Sequence, residues 1–132
     1  MEKILELIID KLVGIRCSGV ELVDVQNKTP LTEYYIVATA RTESTINGTS
    51  QAVSQVLKEN NYPIDHIEYR QGSLWCLMDC THFIVHIFAP GERNRIKIVQ
   101  SQNSAKKIMT FLKIKISIHH QKKLKHGGKN ER

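Results

Sequence analysis

Four side chains able to hold a soft metal lie close together in this sequence: Cys76, Cys80, His82 and His86. If residues 80–82 make a three-residue loop, Cys76 and His86 stand opposite each other across a hairpin. Cys76 and Cys80, however, are four positions apart, some ~13 Å along a straight strand. Two thiolates on one zinc each bond at ~2.3 Å, so that separation is too great. The usual zinc spacing, with two residues between knuckle cysteines and a second pair far off, is missing. Buried thiols and a packed histidine are the simpler reading, and no metal site is expected.

Nucleophilic and acid–base chemistry fare no better. Cys76 lies amid Leu74, Trp75, Leu77 and Met78, where burial would raise a thiol pKa and leave it inert. Cys17 follows Arg16, and Cys80 sits at a loop near His82, which makes Cys80 the better candidate; neither has a recognisable partner motif. The carboxylates Asp24, Glu33, Asp79 and Glu92 are scattered singly. Two-metal phosphoryl or nucleotidyl transfer needs paired acids that hold the ions ~4 Å apart. There is no Walker loop, no Gly-x-Gly-x-x-Gly and no Gly-x-Ser-x-Gly elbow. Gly72-Ser73 reads as a turn. The expectation is a non-enzyme without a cofactor.

Trp75 carries more information. On its strand Trp75, Leu77 and Asp79 share one face, while Cys76 and Met78 point to the other. On the next strand Phe83, Val85 and Ile87 alternate with Ile84, His86 and Phe88. Both faces are rich in apolar groups, and two amphipathic helices can roof one face but hardly two. The uncovered face would then be oily, aromatic and open, the mark of a docking surface. The alternative is that Trp75 belongs to the core.

The elements that would position these residues follow from periodicity. Ile4, Leu5, Leu7, Ile8, Leu12 and Ile15 recur at three- and four-residue spacing, which predicts an amphipathic helix over about 2–16. Val20 to Val25 is rich in β-formers. Tyr34 to Thr39 is almost free of polar groups, as in a strand covered on both faces. Thr42 or Ser44 can cap a second helix carried by Ile46, Val53, Val56 and Leu57 and stopped at Asn60-Asn61-Tyr62-Pro63. Gly48 lies within it and costs ~1 kcal/mol relative to alanine. Three strands follow, His66 to Arg70, Leu74 to Asp79 and Phe83 to Phe88, joined by hairpin loops at 71–73 and 80–82. Arg95 to Val99 alternates and fits an edge strand or the start of a last helix. The pattern gives an α+β domain with one mixed sheet of about five strands and flanking helices.

At 132 residues, with 41% hydrophobic and 24% charged residues, the chain has the size and make-up of one folded domain. Its apolar runs are a few residues long, far short of the ~20 a spanning helix needs. The acid-bearing start Met1-Glu2-Lys3 is unlike a secretory signal. Three cysteines, an odd number, suit a reducing compartment, so a cytoplasmic protein is expected. The net charge of +6 is unevenly spread: residues 1–102 hold 10 Lys/Arg against 12 Asp/Glu, and residues 103–132 hold nine against one. The division is therefore a near-neutral domain, 1–102, and a lysine-rich tail, 103–132, read as partly disordered. Lys106, Lys107, Lys113, Lys115, Lys122, Lys123 and Lys125 could lie along RNA phosphates by charge neutralisation, or the tail could simply be solvated.

Taken in order, Asp24-Val25, Glu33-Tyr34-Tyr35-Ile36-Val37-Ala38-Thr39, Gly72, Trp75-Cys76-Leu77-Met78-Asp79, and Val85-His86-Ile87-Phe88 with Arg93 resemble the signature of the ribosomal silencing factor (Iojap-like) family. The resemblance spans about residues 4–98. There are departures: Glu33 stands for the usual aspartate, Ala40 for a glycine, Gln71 for a glutamate. The family's closing Leu-Glu-x-Leu-Trp is replaced by Ile98-Val99-Gln100-Ser101-Gln102.

The resemblance implies a nucleotidyltransferase-like fold without catalytic acids. It also implies an interaction protein that binds the large ribosomal subunit at its intersubunit face, through ribosomal protein number fourteen, and blocks subunit joining. Trp75, Leu77 and Asp79 would be partner contacts, and Tyr34, Tyr35, His86 and Arg93 would be weaker carry-overs. A homodimer is also implied. Two alternatives stay open: a general RNA-binding module acting through the tail, and a nucleotidyltransferase-like enzyme.

Overall fold

The computed structural model describes residues 2–70 and 72–93. Helix α1 (Glu2–Gly14) turns Ile4, Leu5, Ile8 and Leu12 inward. It ends where Arg16 adopts a left-handed conformation, φ 70°. The N–H groups of Arg16 and Cys17 then donate back to Val13 and Leu12, 3.0 Å each. That pair of bonds satisfies carbonyls the helix end leaves over. Strand β1 (Ser18–Asp24) pairs antiparallel with β2 (Tyr34–Thr39), with a register break between Ser18 and Glu21.

A short 3₁₀ turn (Glu43–Thr45) leads into α2 (Ile46–Glu59). The Thr42 N–H donates to Thr45 Oγ1 at 3.0 Å, so Thr42 organises this turn rather than the α-helix itself. Asn61, φ 56°, ends α2 as Arg16 ends α1: Asn61 and Tyr62 donate to Lys58 and Leu57 at 3.1 and 2.9 Å. Strands β3 (His66–Glu68), β4 (Trp75–Asp79) and β5 (Phe83–Phe88) follow.

The sheet runs β1-β2-β5-β4-β3. Among the described strands only β2 and β5 are parallel; the other pairings are antiparallel. The mixed five-stranded sheet with flanking helices is the α+β arrangement expected. β5, whose six residues are all buried, lies at its centre. The third strand is shorter than the sequence suggested, stopping at Glu68 rather than Arg70. Both helices pack on one face, against Ile36, Ala38, Cys76, Met78, Phe83, Val85 and Ile87. Residues 94–132 lie outside the described residues, and with them the alternating segment 95–99, the boundary at 102 and the lysine-rich tail.

Candidate docking face and its rim

The second face of the sheet is built by Tyr35, Val37, Trp75, Leu77, Ile84, His86 and Phe88, which the two-residue period turns away from the helices. It is not the open, oily plane expected. Trp75 is 6% exposed, Tyr35 5%, Leu77 1%, and Val37, Ile84, His86 and Phe88 are all at 0%. So dense an apolar set is strongly driven out of water, at ~1.5–3 kcal/mol for each large side chain.

At its centre the Trp75 indole N–H donates to His86 Nδ1 at 3.0 Å. An imidazole nitrogen that accepts cannot carry a proton, so this bond requires the neutral tautomer with hydrogen on Nε2. The His86 ring also meets Tyr35 edge-on, with centroids 4.9 Å apart and planes at 84°. Trp75 leans on Phe88 at 5.0 Å. Burial pushes the Tyr35 phenol well above its ordinary pKa, so it stays protonated at every physiological pH.

The hairpin register corrects one expectation. Across β4 and β5, His86 stands opposite Leu77, and Cys76 opposite Ile87. The turn holds two residues, Thr81 and His82, rather than three: Cys80 N–H donates to Phe83 O at 2.9 Å, and Thr81 takes φ 71°. Asp79 Oδ1 accepts the Thr81 N–H at 2.9 Å and fixes that turn. One residue fewer in the turn puts Cys76 and His86 on opposite faces. Among the described residues no group of three or more His, Cys, Asp or Glu could hold a metal ion.

Cys80, the better thiol candidate, is 1% exposed. Burial first, and then the nearby carboxylates of Asp79 and Asp65, push its pKa up to about 12. It is therefore a protonated, unreactive thiol at neutral pH. Burial also raises the Cys17 pKa, against a smaller opposing effect of its hydrogen bond with Thr49.

The remaining site positions lie elsewhere: Tyr34 is on the helix-facing side of the sheet, at the start of β2, and Arg93 lies beside β1. Tyr34 is half-buried, and its hydroxyl accepts from Gln26 Nε2 at 3.0 Å. Gln26 N–H in turn donates to Asp24 Oδ1 at 2.9 Å. Arg93 reaches back to β1, where Nη2 lies 3.0 Å from Glu21 Oε2 and Nη1 donates to the Gly19 carbonyl. The lysines proposed for RNA, Lys106, Lys107, Lys113, Lys115, Lys122, Lys123 and Lys125, fall outside the described residues.

Periodicity missed one further feature. Pairing of Tyr34 with Phe83 brings Glu33 beside His82, with the carboxylate 3.5 Å from Nδ1 and the backbone Glu33 N–H on His82 O at 3.1 Å. These residues, with Gln26, Thr29, Pro30, Leu31, Thr32 and Thr81, line an open groove of about 380 Å³. Nothing in their spacing, 49 positions apart, announces the contact; only the parallel β2–β5 pairing creates it.

Comparison with known proteins completes the picture. A model of the family "Ribosomal silencing factor during starvation" matches residues 3–123, past the boundary expected at 102. The ribosomal silencing factor RsfS of Zymomonas mobilis is 23% identical over 93 residues, 70% of each chain. A crystal structure of a Chromobacterium violaceum protein superposes with TM-score 0.69 at 27% identity, covering 74% of this chain and 81% of that one. A Bacillus halodurans structure, at 16% identity, shares the fold with TM-score 0.66 over 74% of this chain and 91% of its own. Because the match takes in nearly the whole sequence, together with the ordered motifs on β2, β4 and β5, the chain belongs to the ribosomal silencing factor family, whose members regulate translation.

Proposed function

We propose that this protein binds the large ribosomal subunit at its intersubunit face, through ribosomal protein number fourteen, and represses translation by standing where the small subunit must dock. The observation that carries this reading is the family match over residues 3–123. The mechanism is steric: a rigid body occupies area that a subunit contact needs, and no bond is made or broken. The protein works in the cytoplasm, where ribosomes are; among the described residues no helix is long and apolar enough to cross a membrane.

In this reading the β4 motif does two jobs. Trp75 and Leu77, packed beside Tyr35 and His86, hold the contact surface rigid, and Asp79 and Tyr34, both half-buried and at the same end of the sheet on its two sides, meet the partner. A homodimer would be compatible with such a surface. Sedimentation of the purified protein with separated subunits tests the proposal. Co-migration with the large subunit, and a fall in assembled ribosomes when the small subunit is added, is expected. Co-migration with neither subunit, or with the small one alone, overturns it.

A further inference from the structure

Strand β1 is weakly held by the core, since five of its seven residues are exposed. Its far end is fastened by backbone pairing, with Val25 N–H on Glu33 O at 2.9 Å. At its near end the ladder with β2 lapses between Ser18 and Glu21, and Gly19 sits in the lapse at φ 57°. A bulge of this kind leaves backbone groups outside the ladder. Arg93 fills that place: one guanidinium nitrogen donates to the Gly19 carbonyl, the other pairs with Glu21 at 3.0 Å, and the side chain is 14% exposed.

Gly19 suits this contact through its backbone: its φ lies in the left-handed region, which a residue with a side chain rarely adopts. The planar fork of arginine can serve a carbonyl and a carboxylate together, which a lysine ammonium on its flexible stem does less well. Burial lowers the Arg93 pKa and Glu21 opposes that shift, but a guanidinium stays charged.

We propose that Arg93 is a positioning residue for docking, not a partner contact: it locks the bulged end of β1 to the segment that leaves β5. The assignment rests on the ribosome-docking reading for its functional consequence, while the clamp itself stands on the geometry above. With two of its nitrogens engaged and its side chain largely buried, Arg93 is poorly placed to reach a second molecule.

The test uses full-length Arg93→Gln, Glu21→Gln, their double variant and Arg93→Lys, with two readouts: amide hydrogen exchange at Val20–Asp24, and binding to the large subunit. The clamp predicts that Arg93→Gln speeds β1 exchange about tenfold or more and that Glu21→Gln does so by less. The double variant should go no further than Arg93→Gln, and Arg93→Lys should fall between that variant and wild type. Binding should weaken in the same order as exchange quickens. Loss of binding in Arg93→Gln with β1 exchange unchanged would overturn the proposal, as would unaltered binding in Glu21→Gln despite faster exchange. If wild-type protein binds no subunit, the docking reading fails, and the exchange measurements still decide whether the clamp exists.

Discussion

The contact with the largest local consequence is the one between Trp75 and His86. A hydrogen bond between neutral partners nets only ~1 kcal/mol, but stranding a buried acceptor costs ~1–3 kcal/mol. Trp75→Phe removes the N–H donor to His86 Nδ1 and some ring volume, so it is expected to lower stability by about 2–4 kcal/mol. Equilibrium urea unfolding should show a lower midpoint at similar slope. Combined with His86→Leu, the loss should be smaller than the sum of the two single losses, because the second change removes the stranded acceptor. Strict additivity would mean that the pair is not coupled. Asp79 has a comparable local duty: by accepting the Thr81 N–H it sets the length of the turn, and through it the facing of every residue on β5.

Helix ends dominate at the scale of elements. Both helices stop at a residue in the left-handed region, Arg16 after α1 and Asn61 after α2. Asparagine tolerates that conformation, whereas arginine pays ~1 kcal/mol or more for its Cβ. Arg16→Gly should therefore raise stability by about 0.5–1 kcal/mol after the greater freedom of glycine in the unfolded chain is set against the relief. A thermal melt of the variant checks this, and a lower Tm would show that Arg16 earns its place through another contact. The same helix stops were partly readable beforehand. Asn60-Asn61-Tyr62-Pro63 marks the end of α2 in the sequence, but nothing in Gly14-Ile15-Arg16 points to Arg16 as the turning residue.

For the whole molecule the governing fact is the separation of charge. Residues 1–102 are close to neutral and residues 103–132 carry a balance of +8. If the lysines meet RNA, each phosphate neutralised adds slightly under one to the slope of log affinity against log salt. Replacing Lys106, Lys107, Lys113, Lys115, Lys122, Lys123 and Lys125 with glutamine should then flatten that slope for large-subunit binding, by about two to five, while leaving some affinity at low salt. An unchanged slope would assign docking to the folded body alone. Complete loss of ribosome attachment with Trp75 and Asp79 intact would favour the general RNA-binding reading instead.

Element type and order were legible in the sequence because they rest on local physics. The period of 3.6 in α1 and the apolar runs of β2, β4 and β5 depend on neighbours a few residues away. The family motifs were legible for the same reason, being short and ordered. Tertiary structure decided what distant parts of the chain do to each other. It chose a two-residue turn, which set Cys76 and His86 on opposite faces, and it buried Trp75 where composition alone allowed an open plane. It brought Glu33 to His82 and Arg93 to Gly19 across gaps of 49 and 74 positions. Such contacts are fixed by strand pairing and by the solvent's exclusion of apolar area, sums over the whole fold that no local stretch of residues encodes.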